Sequence, residues 1–364
     1  MAPTVKQLVR WIRGHDAARP FEAFQIEVTS RCNLKCVMCP VTVLADQWPA
    51  RDMSWETFER VAAAFERTNW VYLQGWGEPL LHRRVFDMIA RAKSAGCRVG
   101  FTTNGTRLTQ ANGARLLDLG LDLVAVSIAG ASAATHEAIR VGSDFVRLTE
   151  NLRRFLQLRR ERRNARPKVE VFYLMTSANF DELPRAVELA ADLGADELVA
   201  TNLDYVITAG LDELRAYSSS PPAPAFSDAL EEAHKVARRS GIVFRPHRLQ
   251  FTEMAVCDLN PLRILFVSAD GGVSPCVYTS PLGRSEIPRV FEGRPIEVPV
   301  VSFGNVNERP LMEIWEGEEY REFRKRFARR VAGASAMMLG AAGAAVEASP
   351  APDACRSCPK LYGV

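Results

Sequence analysis

From Phe21 to about Asp204 the chain alternates strand-like runs with longer amphipathic runs, and it does so six times. No other feature constrains the fold as strongly. Parallel strands need a long crossover between them, and a helix supplies it. The expected strands are Ala23–Val28, Trp70–Gln74, Arg98–Thr102, Leu123–Ile128, Val169–Met175 and Glu197–Asn202. Helical patterns cover Ser54–Arg67, Arg83–Ala95, Thr109–Leu119, Ala133–Arg140, Phe145–Arg163 and Leu183–Leu193. Gly96, Gly120 and Gly194 stand where three of these helices should stop. Such units wind into a barrel or a doubly wound sheet. The sequences Gln74-Gly75-Trp76-Gly77-Glu78, Thr102-Thr103-Asn104-Gly105 and Ser127-Ile128-Ala129-Gly130 each sit at a strand end. A rim of βα loops carrying the polar residues is the barrel arrangement. The expectation is an α/β fold, a partial (β/α)6 TIM-like barrel.

Eight cysteines in 364 residues are too few for a disulfide scaffold. Their placement is uneven. Cys32, Cys36 and Cys39 share the loop after the first strand. Three thiolates at that spacing can ligate three irons of a cubane cluster and leave the fourth iron open. A structural zinc site wants a fourth ligand nearby, and the nearest histidines are His15 and His82. Cys257, Cys276, Cys355 and Cys358 form a second set, whose residue types suit either an iron–sulfur cluster or a zinc ribbon. Cys97, opening the third strand, reads as a small buried apolar residue.

Charge says less. With 46 Lys+Arg against 43 Asp+Glu, a net charge of +3 offers no global reason to expect nucleic acid. The arginine-rich run between Arg153 and Arg166 reads as the solvated face of an outer helix. Met1–Pro20 has no apolar core or cleavage site of a secretion signal. Val331–Val346 is uncharged but Ala/Gly-rich, and it reads as a linker or packing segment rather than a membrane span. A cytoplasmic protein with no membrane partner is expected. Ser218–Ala225 is the clearest composition break. The segments expected are thus 1–20 (N-terminal), 21–215 (barrel), 216–250 (linker and helix) and 251–364 (auxiliary-cluster domain).

Cys32-x3-Cys36-x2-Cys39 after a first strand resembles the signature of the radical S-adenosylmethionine (SAM) superfamily. Gly75-Trp76-Gly77-Glu78-Pro79 resembles that family's GGEP motif, with Trp76 in the second glycine's place. The resemblance implies that Gly75, Gly77 and Glu78 hold the SAM amino group and that Ser127 contacts its ribose. Ala129 replaces the usual acidic residue there. It further implies that Met38 packs the adenine and that Arg140 meets the SAM carboxylate. The second set, Cys257 with Gly271-x4-Cys276 and Cys355-x2-Cys358, resembles a shortened SPASM or twitch extension, a small C-terminal iron–sulfur domain. A full extension carries seven cysteines; four imply one auxiliary [4Fe–4S] cluster with no open iron.

Such enzymes cleave SAM reductively to a 5′-deoxyadenosyl radical, using a reductant such as flavodoxin or ferredoxin. The expected substrate is a peptide, a protein or a small natural-product intermediate, with an electron passing to the auxiliary cluster. Relatives include maturases of peptides and sulfatases, aminoglycoside dehydrogenases and proteins thought to mature metallo-oxidoreductases. The triplet starts at residue 32, which leaves no room before it for a leader-binding domain. Asp204 and Tyr205, after the sixth strand, and Tyr173, on the fifth, are candidates for a base or substrate contact. A non-catalytic iron–sulfur or SAM-binding assembly or regulatory factor is the alternative reading.

Overall fold

The computed structural model describes residues 19–280, 283, 285–338 and 349–364. Numbered in chain order, the six expected strands form as β1 (Phe21–Ile26), β3 (Thr68–Tyr72), β4 (Arg98–Thr103), β5 (Leu123–Ile128), β7 (Lys168–Met175) and β8 (Glu197–Asn202). Each pairs in parallel with the next. The crossovers contain α2 (Trp55–Ala62), α3 (Val85–Ser94), α4 (Gln110–Asp118), α5 (Ala133–Ile139), α6 (Phe145–Glu161) and α7 (Leu183–Leu193). Side-chain caps start several of them: Ser54, Thr109, Ser132 and Asp144 each accept from a backbone N–H three residues on. Leu148, Leu152, Phe155 and Leu156 face inward from arginine-rich α6. Cys97 is buried and its thiol donates to the Phe65 carbonyl.

Two further parallel strands extend the sheet at its edges. β9 (Val243–Pro246) pairs with β8, and β10 (Ile264–Val267) pairs with β1. Antiparallel β11 (Val273–Ser274) ends the order on that side, so the sheet stays open, as a partial barrel. The expected borders at 215 and 250 therefore do not separate the chain physically. The segment 216–250 and the C-terminal part each lend the barrel a strand.

Four smaller elements complete the rim and the C-terminal part. A bridge of β2 (Lys35–Cys36) with β6 (Arg140–Val141) and a short α1 (Pro40–Val43) shape the first loop. α8 (Ala209–Asp212) follows β8, and a hairpin of β12 (Glu286–Phe291) and β13 (Arg294–Pro299) covers that rim. α9 (Pro224–Ser240) begins inside the composition break Ser218–Ala225, because Pro224 suits the first turn. A C-terminal helical run is broken at Gly317 into α10 (Leu311–Glu316) and α11 (Glu318–Met338). α11 runs on into the Ala/Gly stretch read as a linker, since alanine favours helix. Residues 339–348 of that stretch, and residues 1–18 of the N-terminal segment, lie outside the described residues. α12 (Asp353–Arg356) closes the chain. No helix among the described residues is long and apolar enough to cross a membrane.

Candidate functional site: two cysteine sets around one rim

The first set is built on a loop held from three sides. Cys36 lies opposite Arg140 in the β2–β6 bridge, and Val37 N–H donates to the Ile139 carbonyl at 3.0 Å. Asn104, at the end of β4, donates toward Cys32 Sγ at 3.8 Å and to Asn33 Oδ1 at 3.1 Å. Glu78 N–H donates to the Arg31 carbonyl at 2.8 Å. Gly77 explains why that turn can come so close, since a Cβ there would stand 2.3 Å from the Thr29 carbonyl oxygen. Burial pushes the Cys39 thiol up to about 12, and its neighbours Cys36 and Cys32 push the same way. The three thiols thus lie within electrostatic reach of one another.

Glu78 is buried at the end of the turn after β3. Its Oε1 accepts from Thr103 Oγ1 at 2.7 Å and Leu80 N at 3.1 Å, and its Oε2 accepts from Asn104 N at 2.7 Å. The carboxylate thereby pins the β4 loop that holds Cys32 and keeps one acceptor position of Oε2 free of these bonds. Burial raises its pKa against those donors. One residue sequence reading missed lies beneath it. Glu27 is buried at the end of β1, where Oε1 accepts from Trp76 N at 3.0 Å and Oε2 from Ala269 N at 3.2 Å. Burial pushes this carboxyl up to about 7 against the pull of both donors. A Cβ on Gly75 would sit 2.4 Å from the Glu27 side chain, so both motif glycines are needed for close approach. An acid in the mostly apolar run Ala23–Val28 was the available signal.

Of the remaining residues, Met38 and Trp76 pack against an apolar cluster roofing the rim, while Ser127 is half-buried at the end of β5. Ala129 is fully buried in that cluster, and its N–H donates to His136 Nδ1 at 3.2 Å. Burial pushes His136 down to about 3, which keeps it a neutral structural acceptor. Arg140 Nη1 points to Cys36 Sγ at 3.9 Å, and its Nε has no partner among the described residues. Tyr173 is not at the rim. It is fully buried in the barrel core, and its hydroxyl donates to the Asn179 carbonyl at 2.6 Å.

The second set draws on three distant segments. Cys257 precedes β10, Cys276 follows β11, and Cys355 and Cys358 flank the end of α12. Gly271 makes the β10–β11 turn with φ +89°, where a Cβ would also stand 2.6 Å from Asn305 Oδ1. All four thiols are free, and Cys257, Cys276 and Cys355 each feel the charge of others in the set. Burial pushes Cys276 up to about 11 and raises Cys257 and Cys355 further. No three Cys, His, Asp or Glu side chains among the described residues converge tightly enough to hold a single metal ion. Four buried thiols match the ligand number of one [4Fe–4S] cluster and equally that of one zinc ion.

Asp204 ties together the two turns of the second set, and Tyr205 reaches from it toward the first. Asp204 Oδ1 accepts from the Tyr278 hydroxyl at 3.0 Å, and Oδ2 pairs with Lys360 Nζ at 2.5 Å. Tyr278 follows Cys276 by two positions and Lys360 follows Cys358 by two. Asp204 is therefore engaged as a clamp on both cysteine turns. Tyr205 packs its ring 4.7 Å from Trp76 and 5.5 Å from Tyr278. The hairpin seals this roof: Ile287, Val290 and Val298 enter the same apolar cluster, and Val290 N–H donates to the Val206 carbonyl at 2.8 Å.

An open parallel barrel with three thiols on its first loop and four on a C-terminal extension defines an iron–sulfur protein of the SAM-using kind. Residues 26–190 match the model of the radical SAM superfamily, and residues 257–359 match that of the iron–sulfur cluster-binding SPASM domain. The chain belongs to the radical SAM superfamily and carries a SPASM domain. It is an enzyme whose barrel domain binds a [4Fe–4S] cluster and SAM. The tungsten-containing aldehyde ferredoxin oxidoreductase cofactor-modifying protein of Pyrococcus furiosus is 29% identical over 82% of each chain. An AdoMet-dependent heme synthase of Methanosarcina barkeri is 26% identical, again over 82% of each. Among solved structures, SuiB of Streptococcus suis bound to S-adenosylmethionine is similar in fold, with a TM-score of 0.62 at 13% identity. That match covers 89% of this chain and 74% of SuiB.

Proposed function

We propose that this enzyme modifies an organic cofactor precursor by hydrogen abstraction. In this reading Cys32, Cys36 and Cys39 ligate the SAM-binding [4Fe–4S] cluster. Cys257, Cys276, Cys355 and Cys358 hold a single auxiliary [4Fe–4S] cluster. The observation that carries the choice of substrate class is the likeness to a cofactor-modifying protein across most of both chains. The likeness to a heme synthase points the same way. When bound, the cluster and SAM supply a 5′-deoxyadenosyl radical, for which a reductant such as ferredoxin or flavodoxin provides the electron.

The chain's own residues do the rest. Arg140 offers a guanidinium with a spare Nε beside Cys36, suited to the SAM carboxylate. With SAM bound, the backbone of Gly75–Gly77 after β3 and the Ser127 hydroxyl on β5 would meet its amino group and ribose, and the Met38 thioether would cover the adenine. Trp76 has a buried indole N–H without a partner among the described residues, a donor left for substrate. The apolar roof from Ala129, Tyr205 and the hairpin excludes water, which a carbon radical requires. Tyr205, lying between Trp76 and Tyr278, is the rim residue placed to touch substrate.

Anaerobic reconstitution with iron, sulfide, SAM and dithionite tests the reading. 5′-Deoxyadenosine is expected, and the variant with Cys32, Cys36 and Cys39 changed to Ala should form none. Absence of the product from a protein holding both clusters would instead favour a non-catalytic SAM-binding role. Deuterium transfer from a labelled precursor into 5′-deoxyadenosine would then separate cofactor precursors from peptides as substrate.

A further inference from the structure

Arg289, on β12, occupies a place where a guanidinium is costly. The residue is 4% exposed. Its Nη1 donates to the Ala354 carbonyl at 2.9 Å and to Ser357 Oγ at 3.1 Å, and both partners are neutral. Its Nη2 has no partner among the described residues. A cation removed from water costs several kcal/mol unless an anion compensates it. The two residues it grips immediately precede Cys355 and Cys358, so β12 holds the final cysteine turn through this side chain. Its positive charge reaches the Cys355 thiol and the Tyr205 hydroxyl.

We propose that Arg289 is a positioning residue and the counter-charge for the auxiliary cluster, holding the Cys355–Cys358 turn while its unpaired charge raises the cluster's reduction potential. The inference rests on the reading that the four C-terminal cysteines hold an iron–sulfur cluster. Four thiolates around a [4Fe–4S] core leave a net negative charge, which grows by one when the cluster takes an electron. A fixed cation in a poorly polarisable surrounding favours the more negative, reduced state. The cluster in turn supplies the anion that the guanidinium otherwise lacks. Arg140, beside the first set, has a half-buried side chain and a role toward SAM. Arg289 is buried, and no ion pair to it occurs among the described residues.

The test uses the full chain with Cys32, Cys36 and Cys39 all changed to Ala, so that only the second set can hold iron. An EPR-monitored redox titration of that protein is compared with the same protein carrying Arg289→Gln or Arg289→Lys. Arg289→Gln should shift the one-electron reduction equilibrium about tenfold toward the oxidised cluster, which is about 59 mV more negative. Arg289→Lys should recover most of that shift. Loss of iron in Arg289→Gln but not in Arg289→Lys would also support a need for the charge. An unchanged potential at full iron content, or loss of iron from both variants, would overturn the counter-charge. Absence of iron in the parent protein would overturn the cluster reading itself, and Arg289's role with it.

Discussion

The two cysteine sets reach similar burial by opposite routes. The first lies on one short loop, shaped by the β2–β6 bridge and by the turns after β3 and β4. Its scaffold is local to the barrel, and its charge neighbour Arg140 keeps a nitrogen with no partner among the described residues. The second gathers thiols from three segments separated by up to a hundred residues and needs Asp204, Lys360, Tyr278 and Arg289 to hold them. One site is a loop placed on a sheet. The other is a junction, and its geometry depends on the barrel that it caps.

Cys276→Ala puts that contrast to its hardest test. It should remove about four irons per chain while leaving those of the first set, read by iron analysis and EPR. Loss of all iron would break the independence of the two sites. Asp204→Ala comes next. It strands Lys360 and the Tyr278 hydroxyl, so unfolding stability should fall by about 3–5 kcal/mol. Hydrogen exchange should show the loosening around residues 355–364 before it appears in β1–β5; uniform loosening would contradict a clamp role.

Glu27→Gln gives the smallest effect and reports on the seam between the two halves. The folded carboxyl, raised to about 7 from 4.5, binds its proton more tightly than the unfolded chain does. Its stabilising contribution is therefore complete below the unfolded value and is lost as pH rises through about 7. The change amounts to about 3 kcal/mol. Denaturant unfolding at pH 5 and pH 8 should show a steeper loss for the native chain than for Glu27→Gln. Equal slopes would mean that the Trp76 and Ala269 donors already balance the buried charge.

Much of this molecule was legible in its residues because the signals were local. β5, α7 and β8 have the expected bounds, and the other barrel elements differ by a few residues at their ends. β9 escaped notice as four residues without an apolar run, and the β12–β13 hairpin carries too much Pro and Glu to read as strand. Asp204 and Tyr205 were singled out by position alone. Whether an acid at a strand end acts as a base or a clamp depends on Tyr278 and Lys360, far along the chain.

The order of strands, the loop bearing Cys32, Cys36 and Cys39, and the pairing of Gly271 with Cys276 were determined by the sequence itself. Each rests on spacing within a few residues, where backbone geometry leaves little choice. Tertiary structure alone decided that β10 would pair with β1, that the Glu78 carboxylate would pin the β4 loop, and that Arg289 would be buried with no carboxylate partner among the described residues. Those outcomes depend on which groups lose water together. Burial is a property of the packed chain that no local run of residues contains.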